Sequence, residues 1–213
     1  MNSVAAVIPS RIDSRGGSRK REWLRPPVSE LAHHGECCER ARRWLLARSR
    51  SAEFSVTDGV DHVAPRWLAD RFTWGPTTWP AAWCDVVSAE TIDCGVFAAF
   101  AREIFRANGT VAYGGQVLRH YDRASLGHYR KKWAAVPGAF DWIDEDEVYH
   151  EVCIVRVGGT EVRVYDPTDG VWLDPRVTRG HGSHVALRAD VPVALRWGPH
   201  TIVRGQWITL DGA

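Results

Sequence analysis

One stretch of this chain leaves little choice of structure. Residues 93–108, DCGVFAAFAREIFRAN, place Val96, Phe97, Phe100, Ile104 and Phe105 at helical spacing. The apolar stripe is wide, so the helix it predicts is buried in the centre of a domain. Asp93 suits its N-cap, because the carboxylate accepts from the free amides of the first turn. Asn108-Gly109 stops it.

The second constraint is a strand pair. VYHEVCIVRV (148–157) and TEVRVYD (160–166) are rich in β-branched and aromatic residues and flank Gly158-Gly159, which predicts a hairpin. Shorter helices are expected at 36–48 and 65–73, and further strands at 185–196 and 201–210. Residues 74–83 form a loop dense in Pro and Trp. Strands follow helices, so the fold class is α+β, with a central helix packed on an antiparallel β-sheet. The stretch 109–147 is expected to cap a cleft.

The 213 residues suffice for one domain and an arm. Residues 1–50 hold 11 Lys/Arg against 5 Asp/Glu, and the remainder 16 against 21. Residues 1–25 are therefore read as a disordered basic arm, and 26–213 as a single catalytic domain. The net charge of +1 argues against a nucleic-acid partner. No apolar run of about 18 residues exists, which argues against a membrane span. Val4–Ile8 is too short for a secretory signal, so a cytoplasmic setting with reduced thiols is expected. Five cysteines do not make a disulfide framework.

Cys94 begins the predicted helix. The positive helix end and its free amides favour thiolate there and can hold an oxyanion. Gly95 removes a side chain beside the thiol, which would let a substrate approach. A thiol nucleophile needs a base, and the base an orienting group. A three-residue loop, Val157-Gly158-Gly159, sets His150 directly opposite Asp166. It also gathers Val152, Ile154, Val162 and Val164 onto their face and sends Glu151, Cys153, Val155, Glu161, Arg163 and Tyr165 to the other. A two-residue loop would mix charged with apolar residues, so the segregated register is expected to win. The helix of Cys94 is expected to pack on the His150 face, which assembles Cys94, His150 and Asp166.

Cys at a helix start, His on a strand and Asp on the next strand is the order found in transglutaminase-like enzymes of the papain-like superfamily. His150-Glu151-Val152 and Tyr165-Asp166-Pro167-Thr168 resemble their local motifs, over about residues 65–175. The resemblance implies a papain-like core with Cys94 as nucleophile, His150 as general base and acid, and Asp166 as the orienting acid. Arylamine N-acetyltransferases share the order. Papain-type proteases use an Asn third member and an upstream Gln, which this chain lacks. NlpC/P60-type peptidases carry Asp-Cys-Ser-Gly, and Asp93-Cys94-Gly95 lacks the Ser.

The resemblance also implies cysteine-dependent acyl transfer, from an amide or thioester donor (a peptide or small molecule) to an amine. Two alternatives stay open: a peptidase or amidase that passes the acyl group to water, and a non-catalytic binding module on the same fold. Neither a metal nor a cofactor enters this chemistry. In transglutaminases an upstream Trp donates to the oxyanion, so Trp74, Trp79 and Trp83 are candidates. Asp144, Glu145, Asp146 and Glu147 crowd the approach to His150, as a solvated loop or as a patch for a cationic substrate or amine acceptor. His33, His34, Cys37 and Cys38 have the i, i+4 spacing of a zinc site. Gly35 interrupts that segment, however, and buried cysteines on an amphipathic helix are the expected reading.

Overall fold

The structure is a computed structural model. It describes residues 29–51, 65–132, 134–135, 143–144, 146–176 and 182–210, and only the backbone at 50, 51, 143 and 144. The basic arm read at 1–25 lies outside these residues. The elements run α1 (Glu36–Ser51), α2 (Trp67–Arg71), β1 (Thr73–Trp74), α3 (Trp83–Val86), β2 (Thr91–Ile92) and α4 (Cys94–Ala107). Then come β3 (Ala112–His120), α5 (Arg123–Lys132), β4 (Ile143–Asp144), β5 (Glu147–Gly158) and β6 (Glu161–Asp166). The chain ends through β7 (Val171–Leu173), β8 (His184–Ala189), β9 (Leu195–Trp197), β10 (His200–Ile202) and β11 (Ile208–Thr209). The class is α+β.

The large sheet has the order β10-β9-β6-β5-β3-β8-β11, with β4 beside β5 and β7 beside β6. Its pairs are antiparallel except β6 with β9. The end strands β10 and β11 touch, so the sheet nearly closes on itself. It is mixed, not wholly antiparallel as expected.

Strand β3 corrects the reading of 109–147 as a cap. Residues 112–120 lie in the middle of the sheet, between β5 and β8. Gly114-Gly115 resembles a turn, yet here it admits a neighbour. A Cβ on Gly115 would lie 2.7 Å from Ile154 Cδ1, so the Ile side chain occupies the space that glycine leaves.

The β5–β6 hairpin keeps the predicted faces and changes the register. The turn is Gly159-Thr160, with Gly158 opposite Glu161 and a bulge between Arg156 and Gly158. Beyond the bulge Cys153 pairs with Tyr165 and Ile154 with Val164. Asp166 is thus two residues out of line with His150, a diagonal neighbour and not a direct one.

The two faces serve different cores. Val152, Ile154, Val162 and Val164 point into the curled sheet, with Val117, Leu187, Leu195 and Trp197. Cys153, Val155 and Tyr165 face out and pack against α4. Cys153 Sγ donates to Ala98 O at 3.3 Å, and Phe105 meets Tyr165 edge-on at 5.6 Å. The helix therefore packs on the face opposite to the one expected. Both faces of β5 are apolar, so segregation of charge could set the register but not choose the face for α4. The α4 stripe is fully buried there, at 0–1% exposure for Val96, Phe97, Phe100, Ile104 and Phe105. Each such side chain contributes about 1.5–3 kcal/mol.

Candidate active site

The site begins with a gap in the sheet. Along one edge, β5 pairs with β3 from Glu147 to Val155. Along the other, β4 covers Glu147 and Val148, and β6 begins only at Cys153. Residues 149–152 have no strand neighbour on that side among the described residues. The start of α4 meets this window, where the Cys94 thiol accepts the Glu151 N–H. The thiol thus reaches the His150–Glu151 peptide from the edge of β5, although the helix body packs on one face.

Asp93 caps the helix as expected. Its carboxylate accepts the Val96 N–H at 2.9 Å and the Trp79 indole N–H, and its own N–H donates to Thr77 Oγ1 at 2.9 Å. Gly95 does not open a path for substrate. A Cβ there would fall 2.6 Å from Ser29 Oγ and 3.1 Å from the Trp79 ring, so that space is filled by the chain itself.

His150 is 5% exposed, and its Nε2 lies 2.9 Å from both oxygens of Asp166, which is fully buried. The far ring nitrogen spans the diagonal offset, and Nδ1 is left for another partner. Thr168 N–H also donates to Asp166 Oδ1 at 3.0 Å, in the local turn that an Asp two residues upstream makes. This gives the Asp-Pro-Thr sequence a physical role. Arg119 lies 3.6 Å from Asp166 and donates to Asp169 at 2.8 Å. Burial alone would raise the Asp166 carboxyl, but His150, Arg119 and His184 outweigh it and hold it down at about 2.

The expected thiolate at Cys94 is overturned. Burial pushes the thiol well above its ordinary range, and the Asp93, Glu151 and Asp166 carboxylates push it further. The Glu151 N–H opposes them without prevailing. One helix end cannot offset desolvation and three carboxylates. Among the described residues no hydrogen bond joins the thiol to the imidazole.

Glu151, beside His150 on β5, is 2% exposed. Its carboxylate accepts from Ser29 N–H at 3.1 Å, Ser29 Oγ at 2.6 Å and Tyr149 Oη at 2.9 Å. Gln116 Nε2 donates to Tyr149 at 2.8 Å, and Arg102 donates to Ser29 O at 2.7 Å. Sequence reasoning missed this network. Alternation along β5 puts Glu151 on the same face as Cys153 and Val155 but does not show that this face receives α4; nothing local marks Ser29.

A cavity of about 140 Å³ opens beside His150, lined by Trp74, Arg119, Tyr121, Tyr129 and Tyr149 among others. That volume suits about one aromatic ring. Of the three Trp candidates, Trp74 lines this cavity and meets Tyr129 edge-on at 5.8 Å. Trp79 commits its indole N–H to Asp93. Trp83 stacks on Phe100 at 5.3 Å, about 9 Å down the helix from Cys94. In the acidic run, Asp144 pairs with Glu147 in the β4–β5 ladder, and Asp146 is exposed 3.3 Å from His120 Nδ1. Glu145 lies outside the described residues. No described helix is long and apolar enough to cross a membrane. Comparison of the chain with protein-family models, curated proteins and solved structures found no match.

Proposed function

We propose that this chain is a cysteine-dependent acyltransferase on a transglutaminase-like form of the papain-like core, with Cys94, His150 and Asp166 as its triad. One observation carries the reading. A thiol at a helix start touches the His150–Glu151 peptide, while His150 Nε2 is held 2.9 Å from Asp166 and Nδ1 makes no hydrogen bond among the described residues. That division of the two ring nitrogens is what a thiol–imidazole–carboxylate relay requires.

The raised Cys94 thiol favours general-base activation over a preformed ion pair. The donor carbonyl binds over Cys94, His150 Nδ1 takes the thiol proton, and Sγ adds to the carbonyl carbon. The Cys94 backbone N–H at the helix start receives the oxyanion. His150 then returns the proton to the leaving amine or thiol, and a thioester remains on Cys94. An incoming amine loses its proton to His150 as it attacks, which releases the amide product and the free thiol. Asp166 holds the Nε2–H throughout.

The test is mass spectrometry of the intact protein with p-nitrophenyl acetate, then with methylamine. The expected result is an acetyl adduct on Cys94, missing in Cys94→Ala and discharged faster by methylamine than by water. Discharge to water alone would make the chain a hydrolase. An equal adduct in Cys94→Ala would overturn the triad.

A further inference from the structure

Three of the cysteines that were unpartnered in sequence meet in space. Cys37 and Cys38 lie in the first turn of α1, and Cys84 lies in α3. The Sγ atoms of Cys38 and Cys84 share a hydrogen bond at 3.4 Å. Cys37 also hydrogen-bonds Cys84 through its side chain. Cys37 is exposed, Cys84 half-buried and Cys38 fully buried. Two thiols at this distance need only a small approach to bond. The trio therefore differs from Cys153, whose thiol donates to a backbone carbonyl.

We propose that Cys38 and Cys84 form a reversible disulfide, with Cys37 as the exposed thiol through which a small-molecule disulfide oxidises them. The Cys37 thiolate attacks the disulfide, forms a mixed disulfide and expels one small thiol. Cys84 attacks the Cys37 sulfur and expels the second. Cys38 then attacks Cys84, forming the final bond and freeing Cys37. In sum, two protein thiols are oxidised and one small disulfide is reduced to two thiols. Environment supports the last step. Burial opposes ionisation of Cys38, but hydrogen bonds from His34, Cys84 and Trp83 lower its thiol. Cys84 is pushed up to about 12, first by its hydrogen bonds to Cys38 and Cys37, so its attack on the Cys37 sulfur is the slow step.

The bond would tie α1 to α3, and Trp83 of α3 stacks on the helix that carries Cys94. The site is thus a staple behind the proposed active site and is independent of its chemistry. The full chain is incubated with oxidised glutathione, alkylated and cleaved before aspartates, which separates Cys84 from Cys94. The expected product links Cys38 to Cys84, carries no glutathione, and raises Tm by about 5–10 °C until dithiothreitol is added. Cys37→Ser should slow its formation by about tenfold. Five alkylatable thiols after oxidation, or a bond that ends on Cys37 or Cys94, would overturn the proposal.

Discussion

The two halves of β5 have similar backbones and different neighbours. From Cys153 to Gly158 the strand is paired with β6, and both of its faces are apolar. From Tyr149 to Val152 it is paired, among the described residues, only with β3, and there it carries His150 and Glu151. Loss of one neighbour frees backbone donors at the strand edge, and a helix start takes one of them. The candidate site therefore costs the sheet only a few residues of pairing. The same strand stays a core element two residues further on.

The sharpest way to break this contrast is His150→Gln. The open half should carry chemistry, so turnover of an acyl donor should fall by about 10²–10⁴-fold. The urea midpoint should move little by comparison. If turnover per folded molecule were unchanged, the open half would be an irregularity of the sheet and not a site.

Much of this contrast was legible in the sequence. Asp93 as N-cap, the α4 stripe and the faces of the hairpin follow from spacing alone, because side-chain period and capping are local. The gap opposite 149–152 was not legible, since it depends on where β4 and β6 end. Nor was the side of the sheet that receives α4. Val152 and Ile154 are as apolar as Cys153 and Val155, so only the curl of the sheet decides which pair faces the helix. β3 was hidden by Gly114-Gly115, which satisfies Ile154 packing in three dimensions and mimics a turn in one. The thiol's ionisation was misjudged because a helix end is visible in sequence, whereas Glu151 and Asp166 converge on Cys94 only in the fold.

The paired half can be tested at Gly115. An added Cβ would come 2.7 Å from Ile154 Cδ1 and 3.1 Å from Val152 Cγ2. Ile154 is fully buried. Gly115→Ala should cost about 1–3 kcal/mol in urea unfolding, as overpacking does. Ile154→Val removes the clashing methyl, so the double variant should recover part of that loss. Simple additivity of the two changes would show that Gly115 is kept for another reason.

A smaller effect should separate the open half by pH. His184 sits near Arg119, Asp166 and His150, and its Nε2 is buried with no partner among the described residues. Burial first, then Arg119 and His150, depress its pKa to about 3, with Asp166 opposing. Above about pH 6.5 both folded and unfolded chains leave it neutral. Below that, the unfolded chain binds a proton that the folded protein refuses down to about 3. Its stabilising contribution is therefore complete above 6.5 and is lost as pH falls through that window. Asp166, held at about 2, adds a loss in the same direction below about 3.9. Asp93 and Glu151, raised by burial, act oppositely, since protonation at low pH relieves their cost. The wild-type slope is a sum of these, but its difference from His184→Asn isolates one group. Between pH 7 and 5 the urea midpoint of His184→Asn should fall less steeply than that of the wild type. Equal slopes would mean that water reaches His184, and that the polar pocket around Asp166 is wetter than its burial implies.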